Sequence, residues 1–194
     1  MSENTIFADY GQFISRKELL TKYSPYMLSS FVKNGHLTKI NNVFYQNNDY
    51  EGEESDLFYA AAYIPNGVIS LMSAAVYYGL SNNRPLAIDV AVRANSYIPS
   101  FPDWPPIRIH YLEKKYYDNG IITINERGNT FRVYETEKVV ADVVKNRERI
   151  GIEETKEVLT NYLKSSDRDL NKLMKYAKAG GCDKQMRTYM EVLV

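Results

Sequence analysis

A single cysteine in 194 residues, Cys182, excludes an internal disulfide and any cysteine-rich zinc site. That usage fits a reducing compartment, and a cytoplasmic protein is expected. The only histidines, His36 and His110, stand far apart, so a histidine-based metal cluster is not expected, and no cofactor either. No apolar run approaches the roughly 20 residues a helix needs to cross a bilayer. The opening residues, MSENTIFADYGQF, have no basic stretch leading into an apolar one, so no secretory signal is expected there. Neither sign of charge is in surplus: 24 Lys and Arg meet 24 Asp and Glu. No overall field draws the chain to nucleic acid or to a membrane, and electrostatic recognition must come from local patches. Also missing are a phosphate-cradling glycine loop, a nucleophile elbow and a kinase signature. Asp89, Glu137 and Asp142 are carboxylates whose spacing specifies no acid–base pair. Asp142, set among valines, reads as a buried, hydrogen-bonded structural carboxylate. Catalysis is not expected; an enzyme would need polar groups converging on a pocket in the later part of the chain.

What remains is an ordinary globular composition, 44% hydrophobic and 25% charged, enough for one large domain or two small ones. Seventeen scattered tyrosines suit amphipathic packing at the edge of a core.

The most organised stretch runs from Ile14 to Gln46. Ser15 is placed as the N-cap of SRKELLTKY, with Glu18 completing a capping box. Ser24 caps a second helix that has Pro25 at its first position and Asn34-Gly35 at its end. Leu28, Phe31 and Val32 fall on one face of that helix, and Tyr26, Ser29, Ser30 and Lys33 on the other. HLTKI and VFYQ then flank Asn41-Asn42, a two-residue hairpin loop in which Asn tolerates positive φ. An earlier helix over Asn4–Phe13, with Ile6, Tyr10 and Phe13 on one face, is expected to back the pair.

Two helices and a hairpin describe a winged helix-turn-helix, whose second helix enters the DNA major groove. The same elements also occur as scaffolding or as protein-binding modules. Tyr26, Ser29, Ser30 and Lys33 are the candidates for base edges. Ser15, Arg16, Lys17, Ser24, Lys39, Asn41 and Asn42 are the candidates for phosphates and the wing. Locally Arg16, Lys17, Lys22, Lys33 and Lys39 face Glu3, Asp9 and Glu18, a surplus of two, so one copy alone should bind DNA weakly.

The acidic run NNDYEGEESD, 47–56, marks a boundary between residues 1–48 and 49–194. It fails as an EF-hand because Phe58 stands where the bidentate Glu belongs. Beyond it, DLFYAAAYIP and SLMSAAVYYGL, the latter capped by Ser70, read as helices. LAIDVAVRA reads as a half-buried strand, and IRIHYL, IITINE and FRVYE as further strands, the last two joined as a hairpin at 127–129. IPSFPDWPP is a loop. The sheet should have about four strands. Then come helical segments: EKVVADVVKNRERI capped by Thr136, IEETKEVLTNYLK after Gly151, one capped by Ser166 with Leu170, Leu173, Met174 and Ala177 inward, and DKQMRTYMEVLV with Met186, Tyr189, Met190 and Leu193 inward. Arg168, Lys172, Lys175, Lys178, Lys184 and Arg187 form a basic stripe that reads either as a solvated face or as a second contact for nucleic acid or an acidic partner. The fold class expected is α+β: a winged helix-turn-helix, a small mixed sheet, and a C-terminal helical group.

The order of these elements, with GVISLMSAAVYYGL, RVYETEKVVADVVKNRERIGIEETKEVLTNYL and DLNKLMKYA, resembles the AbiEi antitoxin family of bacterial abortive-infection (type IV AbiE, phage-resistance) toxin–antitoxin systems. The resemblance spans nearly the whole chain and is firmest over Gly67 to Leu80, Tyr134 to Arg149 with Asp142, and Leu173 to Ala177. Asn42 departs from it, since the family's hairpin usually has Gly there. The resemblance implies a bifunctional protein. Its winged helix would bind inverted repeats of double-stranded promoter DNA and repress its own operon. Its 49–194 part would counteract a nucleotidyltransferase-like toxin, in many members without a stable complex. The competing classes are a winged-helix regulator that senses a small ligand, with no toxin partner, and an enzyme that modifies the toxin.

Overall fold

Serines start the first two helices. In the computed structural model, which describes residues 6–98, 101–126 and 128–193, the Ser15 hydroxyl accepts from the Glu18 N–H at 3.1 Å and opens α1 (Arg16–Lys22). Ser24 accepts from the Met27 N–H at 3.3 Å and opens α2 (Pro25–Lys33). Gly35, at φ +84°, follows the end of α2 as expected. A helix over residues 4–13 is not what forms. Residues 6–10 are turns, and Phe13–Ser15 is a strand, β1; Asn4 and Thr5 lie outside the described residues. From Phe13 the backbone is instead taken up by pairing with residues 44–46, and Gly11 before it lies against the Gly128 carbonyl, where a Cβ would collide.

β2 (Leu37–Lys39) and β3 (Phe44–Asn47) form the expected hairpin, and β1 joins the far edge of β3, all antiparallel, in the order β1-β3-β2. The connection is longer than the expected two residues. Residues 40–43 turn around the Asn41 side chain, whose Oδ1 accepts from the Val43 and Phe44 N–H groups at 2.8 and 2.9 Å. Neither asparagine takes positive φ. Phe7, Ile14, Leu19, Leu28, Leu37 and Tyr45 make a small core of their own under these elements.

Ser55 opens α3 (Asp56–Tyr63), which leads to β4 (Val68–Ile69) and α4 (Leu71–Tyr77). β5 (Ile88–Arg93), β6 (Ile107–Leu112), the short α5 (Lys114–Tyr117), β7 (Ile121–Glu126) and β8 (Asn129–Tyr134) follow. The second sheet has five strands, not four, in the order β6-β5-β4-β8-β7. β4 is the addition: two residues that pair antiparallel with β5 and parallel with β8 sit at the centre of the sheet. β5 is therefore buried on both faces, Asp89 included, where its alternation predicts one wet face. The β7–β8 hairpin forms as expected, with Arg127 outside the described residues; Pro99 and Ser100 of the expected loop lie outside them too.

The remaining helices are α6 (Thr136–Lys145), α7 (Arg147–Ile150), α8 (Ile152–Lys164), α9 (Leu170–Gly180) and α10 (Asp183–Leu193). The expected single helix up to Ile150 breaks at Asn146, whose side-chain amide donates to the Asp142 carbonyl at 2.7 Å. Glu135, not Thr136, occupies the N-cap position of α6. Asp169, not Ser166, caps α9, its carboxylate accepting from the Lys172 N–H at 2.9 Å. Leu170 is correspondingly exposed, whereas Leu173 and Ala177 are buried. Met186 is buried, Tyr189 and Met190 pack partly inward, and the side chain of Leu193 lies outside the described residues. α6 is covered all round from Glu137 to Val144 and touches α4, α8, α9 and α10. The expected buried carboxylate is there: Asp142 accepts from the Lys138 ammonium at 3.0 Å and from the Tyr116 hydroxyl.

Removing one partner of this buried pair leaves the other charge uncompensated. Asp142→Ala should cost about 3–5 kcal/mol in urea unfolding, and Lys138→Met with Asp142→Leu distinctly less; equal losses would show that the pair is not what is being disrupted. Cys182, buried beneath the Ala141 carbonyl, has its thiol pushed up to about 11, mainly by burial and next by Asp142. Iodoacetamide at pH 8 should label it only in denaturant, and rapid labelling of the native chain would contradict this burial.

Candidate nucleic-acid interface

α2 is held by aromatic rings. Phe7 meets Phe31 edge-on at 5.1 Å and Tyr23 at 5.8 Å, and Tyr23 meets Phe31 at 5.1 Å, so the turn between α1 and α2 is clamped from below. Leu28 is buried beside them. Seated on that base, α2 turns its other face to solvent. Tyr26 is 85% exposed, Ser29 and Lys33 are exposed, and Ser30 is half-buried. Among the described residues, no later part of the chain covers Tyr26.

Val32, expected in the buried stripe, is 37% exposed because it forms a wall of an open groove between α2 and the hairpin. Arg16, Ser29, Lys39 and Asn42 meet around this groove of roughly 450 Å³, with Tyr45 in its base. Four of the expected contacts, from α1, α2 and both sides of the hairpin, thus share one slot. Two cations flank it and the Asn42 amide adds a neutral donor, a set that suits phosphate oxygens. Lys17 is exposed on α1. Ser15 and Ser24 use an oxygen lone pair as caps, while the Ser29 hydroxyl donates to the Pro25 carbonyl at 3.2 Å.

Asn41 is drawn the other way. Its amide donates to the Ala62 carbonyl at 2.7 Å, and its oxygen accepts both loop N–H groups, so the side chain ties the hairpin to α3 and does not face a duplex. The basic stripe is likewise reduced. Lys175, Lys178, Lys184 and Arg187 are exposed, and exposed Arg168 donates to the Ser165 carbonyl at 2.9 Å. Lys172 is paired inward with Glu135 and, at 3.5 Å, with Glu137. The Glu135 hydrogen bond is the main cause that holds its pKa above the usual lysine value.

The three carboxylates remain apart. Asp89 bonds His110 at 2.8 Å, Glu137 faces Lys172 and Tyr162, and Asp142 holds Lys138. Among the described residues no group of three or more His, Cys, Asp or Glu side chains could hold a metal ion, and no helix is long and apolar enough to cross a membrane. Sequence reasoning missed the groove-facing role of Val32 and Tyr45. It also missed the Asp89–His110 pair, which needs the parallel β5–β6 register, where Ala91 stands opposite His110, to become visible.

No family model and no curated protein matches the chain. Among solved structures it is similar to the crystal structure of RV2827C protein from Mycobacterium tuberculosis, at 9% identity and a TM-score of 0.47, over 92% of this chain and 75% of that one. A likeness that distant carries no argument about function.

Exposure separates contact from scaffold. Tyr26→Ala should change unfolding stability by no more than about 0.5 kcal/mol, whereas Leu28→Ala should cost about 2–5 kcal/mol. A large loss for Tyr26→Ala in thermal or urea unfolding would mean that its ring packs on the chain.

Proposed function

We propose that the chain is an AbiEi-type antitoxin and autorepressor: a bacterial, cytoplasmic regulator whose residues 1–48 act as a winged helix-turn-helix on promoter inverted repeats. Residues 49–194 would then counteract a nucleotidyltransferase-like toxin. The observation that carries the DNA half is the open face of α2 beside a groove flanked by Arg16 and Lys39. Two helices, a hairpin and a third strand support this reading, in which α2 would be the reading helix and the 40–43 loop the wing. The helix expected to back them is replaced by turns and β1. Tyr26, Ser29 and Lys33 reach base edges, while Arg16, Lys17, Lys39 and Asn42 hold phosphates. The weak local surplus of positive charge favours two copies on paired half-sites. The antitoxin half rests on the sequence resemblance alone, and the chain is not assigned a catalytic role.

The test is a gel shift on the chain's own promoter over a range of salt. Arg16→Ala and Lys33→Ala should each weaken binding and lower the log–log salt slope by about one. Asn41→Ala should leave that slope unchanged. Slopes that do not move with Arg16 or Lys33 would overturn the placement. Co-expression with a neighbouring nucleotidyltransferase-like gene, scored as growth, tests the second half, and continued toxicity overturns it.

A further inference from the structure

Along the open edge of the five-stranded sheet, β6 faces the junction of α6 and α7 across a polar cavity of roughly 280 Å³. Nε2 of His110 lies 2.8 Å from Oδ1 of Asp89, which is buried on β5. Nδ1 of the same ring lies 3.4 Å from a guanidinium nitrogen of Arg149. Nε2 of the ring thus faces a carboxylate and Nδ1 faces a guanidinium, so both ring nitrogens already have partners within the chain. Lys145 brings a second cation to the rim, its ammonium 4.5 Å from the centre of the Tyr116 ring, and Asn146 stands between the two in sequence. Both cations are exposed, and among the described residues neither has a carboxylate within ion-pair distance. Asp142 reaches the cavity wall, but Lys138 at 3.0 Å neutralises it.

A local excess of two cations without a carboxylate partner, at the rim of a half-open cavity, favours an anion. Leu71, Ile109 and Leu112 supply apolar lining to the same cavity. Leu71 holds φ +47°, one of two non-glycine residues with positive φ among those described. We propose that this cavity binds a small phosphomonoester, its phosphate between Lys145 and Arg149 and its organic part against Leu71 and Ile109. The volume is at the low end of ligand sites, which run from about 300 to 1,000 Å³, so the ligand is small. His110 is engaged by Asp89 and Arg149 at its two ring nitrogens, so the site is one of binding, with no chemical step assigned. It lies within residues 49–194 and stands whether or not α2 reads DNA.

Calorimetric titration of the full chain at low salt with inorganic phosphate, ribose 5-phosphate and uncharged ribose tests this. Ribose 5-phosphate should bind more tightly than inorganic phosphate, and ribose should give no heat. Lys145→Ala and Arg149→Ala should each weaken ribose 5-phosphate binding about tenfold. The pair Lys175→Ala, Lys178→Ala should leave it unchanged, which sets the cavity apart from general attraction to surface lysines. Both cavity cations are exposed, so unchanged thermal unfolding of their variants serves as the folding control. No binding of either phosphate at millimolar concentration, or full affinity in the Lys145, Arg149 double variant, would overturn the site.

Discussion

The larger core is built around a charge. The Lys138 side chain has no exposed surface; Asp142 lies 3.0 Å away, and the rings of Tyr116 and Tyr134 cover the ammonium at 3.7 and 4.1 Å. Burial draws its pKa below the usual lysine value against the pull of Asp142, and the same burial, with Asp142 next, raises the phenols of Tyr116 and Tyr134. An ammonium in such surroundings costs several kcal/mol of lost hydration unless it is matched. The match comes from three places: α6 itself, α5 for Tyr116 and β8 for Tyr134. A slip of α6 by one residue would put the ammonium among valines, so the ion pair fixes the helix against the sheet. Apolar packing alone would not fix it, because the Val139, Val140, Val143 and Val144 stripe tolerates small rotations. With α6 fixed, its end at Asn146 is fixed too, and with it the place of Lys145 and Arg149 opposite β6.

The first unit depends on the rest in a different way. Six buried side chains make its core, and units below about 60 residues are marginal alone. Its attachment is both apolar, with Phe13, Ile40 and Phe44 packed on the larger core, and polar along the backbone. The Phe13 N–H donates to Asn129 at 2.9 Å, the Ser55 N–H to Gln12 at 3.2 Å, and Asn41 to the Ala62 carbonyl at 2.7 Å. Gly11 and Gly128 let the two chains touch there, and Phe13 reaches across into the larger core. The acidic run after β3 is thus a change of composition at a stitched seam. This seam braces the hairpin from behind and leaves α2, on the other side of its aromatic base, open.

Local signals were legible, and long-range ones were not. Ser15, Ser24 and Gly35 act within four residues of where they stand, and their roles follow from capping chemistry alone. The β7–β8 hairpin follows from alternation and a turn. β1 and β4, of three and two residues, carry no periodicity; they are strands because distant partners offer a ladder. The Asp89 position looks solvent-facing in a pattern of alternation, yet central placement in a mixed sheet buries it. Of the candidate contacts, exposure of Tyr26 and Lys33 was readable from helical spacing. The fates of Asn41 and Lys172 were not, since Ala62 and Glu135 lie 21 and 37 residues away in sequence.

Charge distribution connects the two candidate sites. With equal numbers of acids and bases, any unpaired cation must be left over from local pairing, and the fold decides which ones are. It pairs Lys138 and Lys172 inward, so the acids nearest α6 are used by buried or half-buried partners. Lys145 at the end of α6 and Arg149 in α7, and Arg16, Lys33 and Lys39 around α2, remain outside that pairing. Each group is too small to attract a polyanion from a distance at physiological salt, where fields fade within about 8 Å. Recognition at either place would therefore be short-range and geometric, set by how the groove and the cavity place their two cations. If the groove binds DNA as proposed, affinity would grow chiefly by engaging a second copy on the same duplex, since the second contact is then made at high effective concentration. Inverted repeats are the DNA arrangement that a pair of such copies related by a two-fold axis would require.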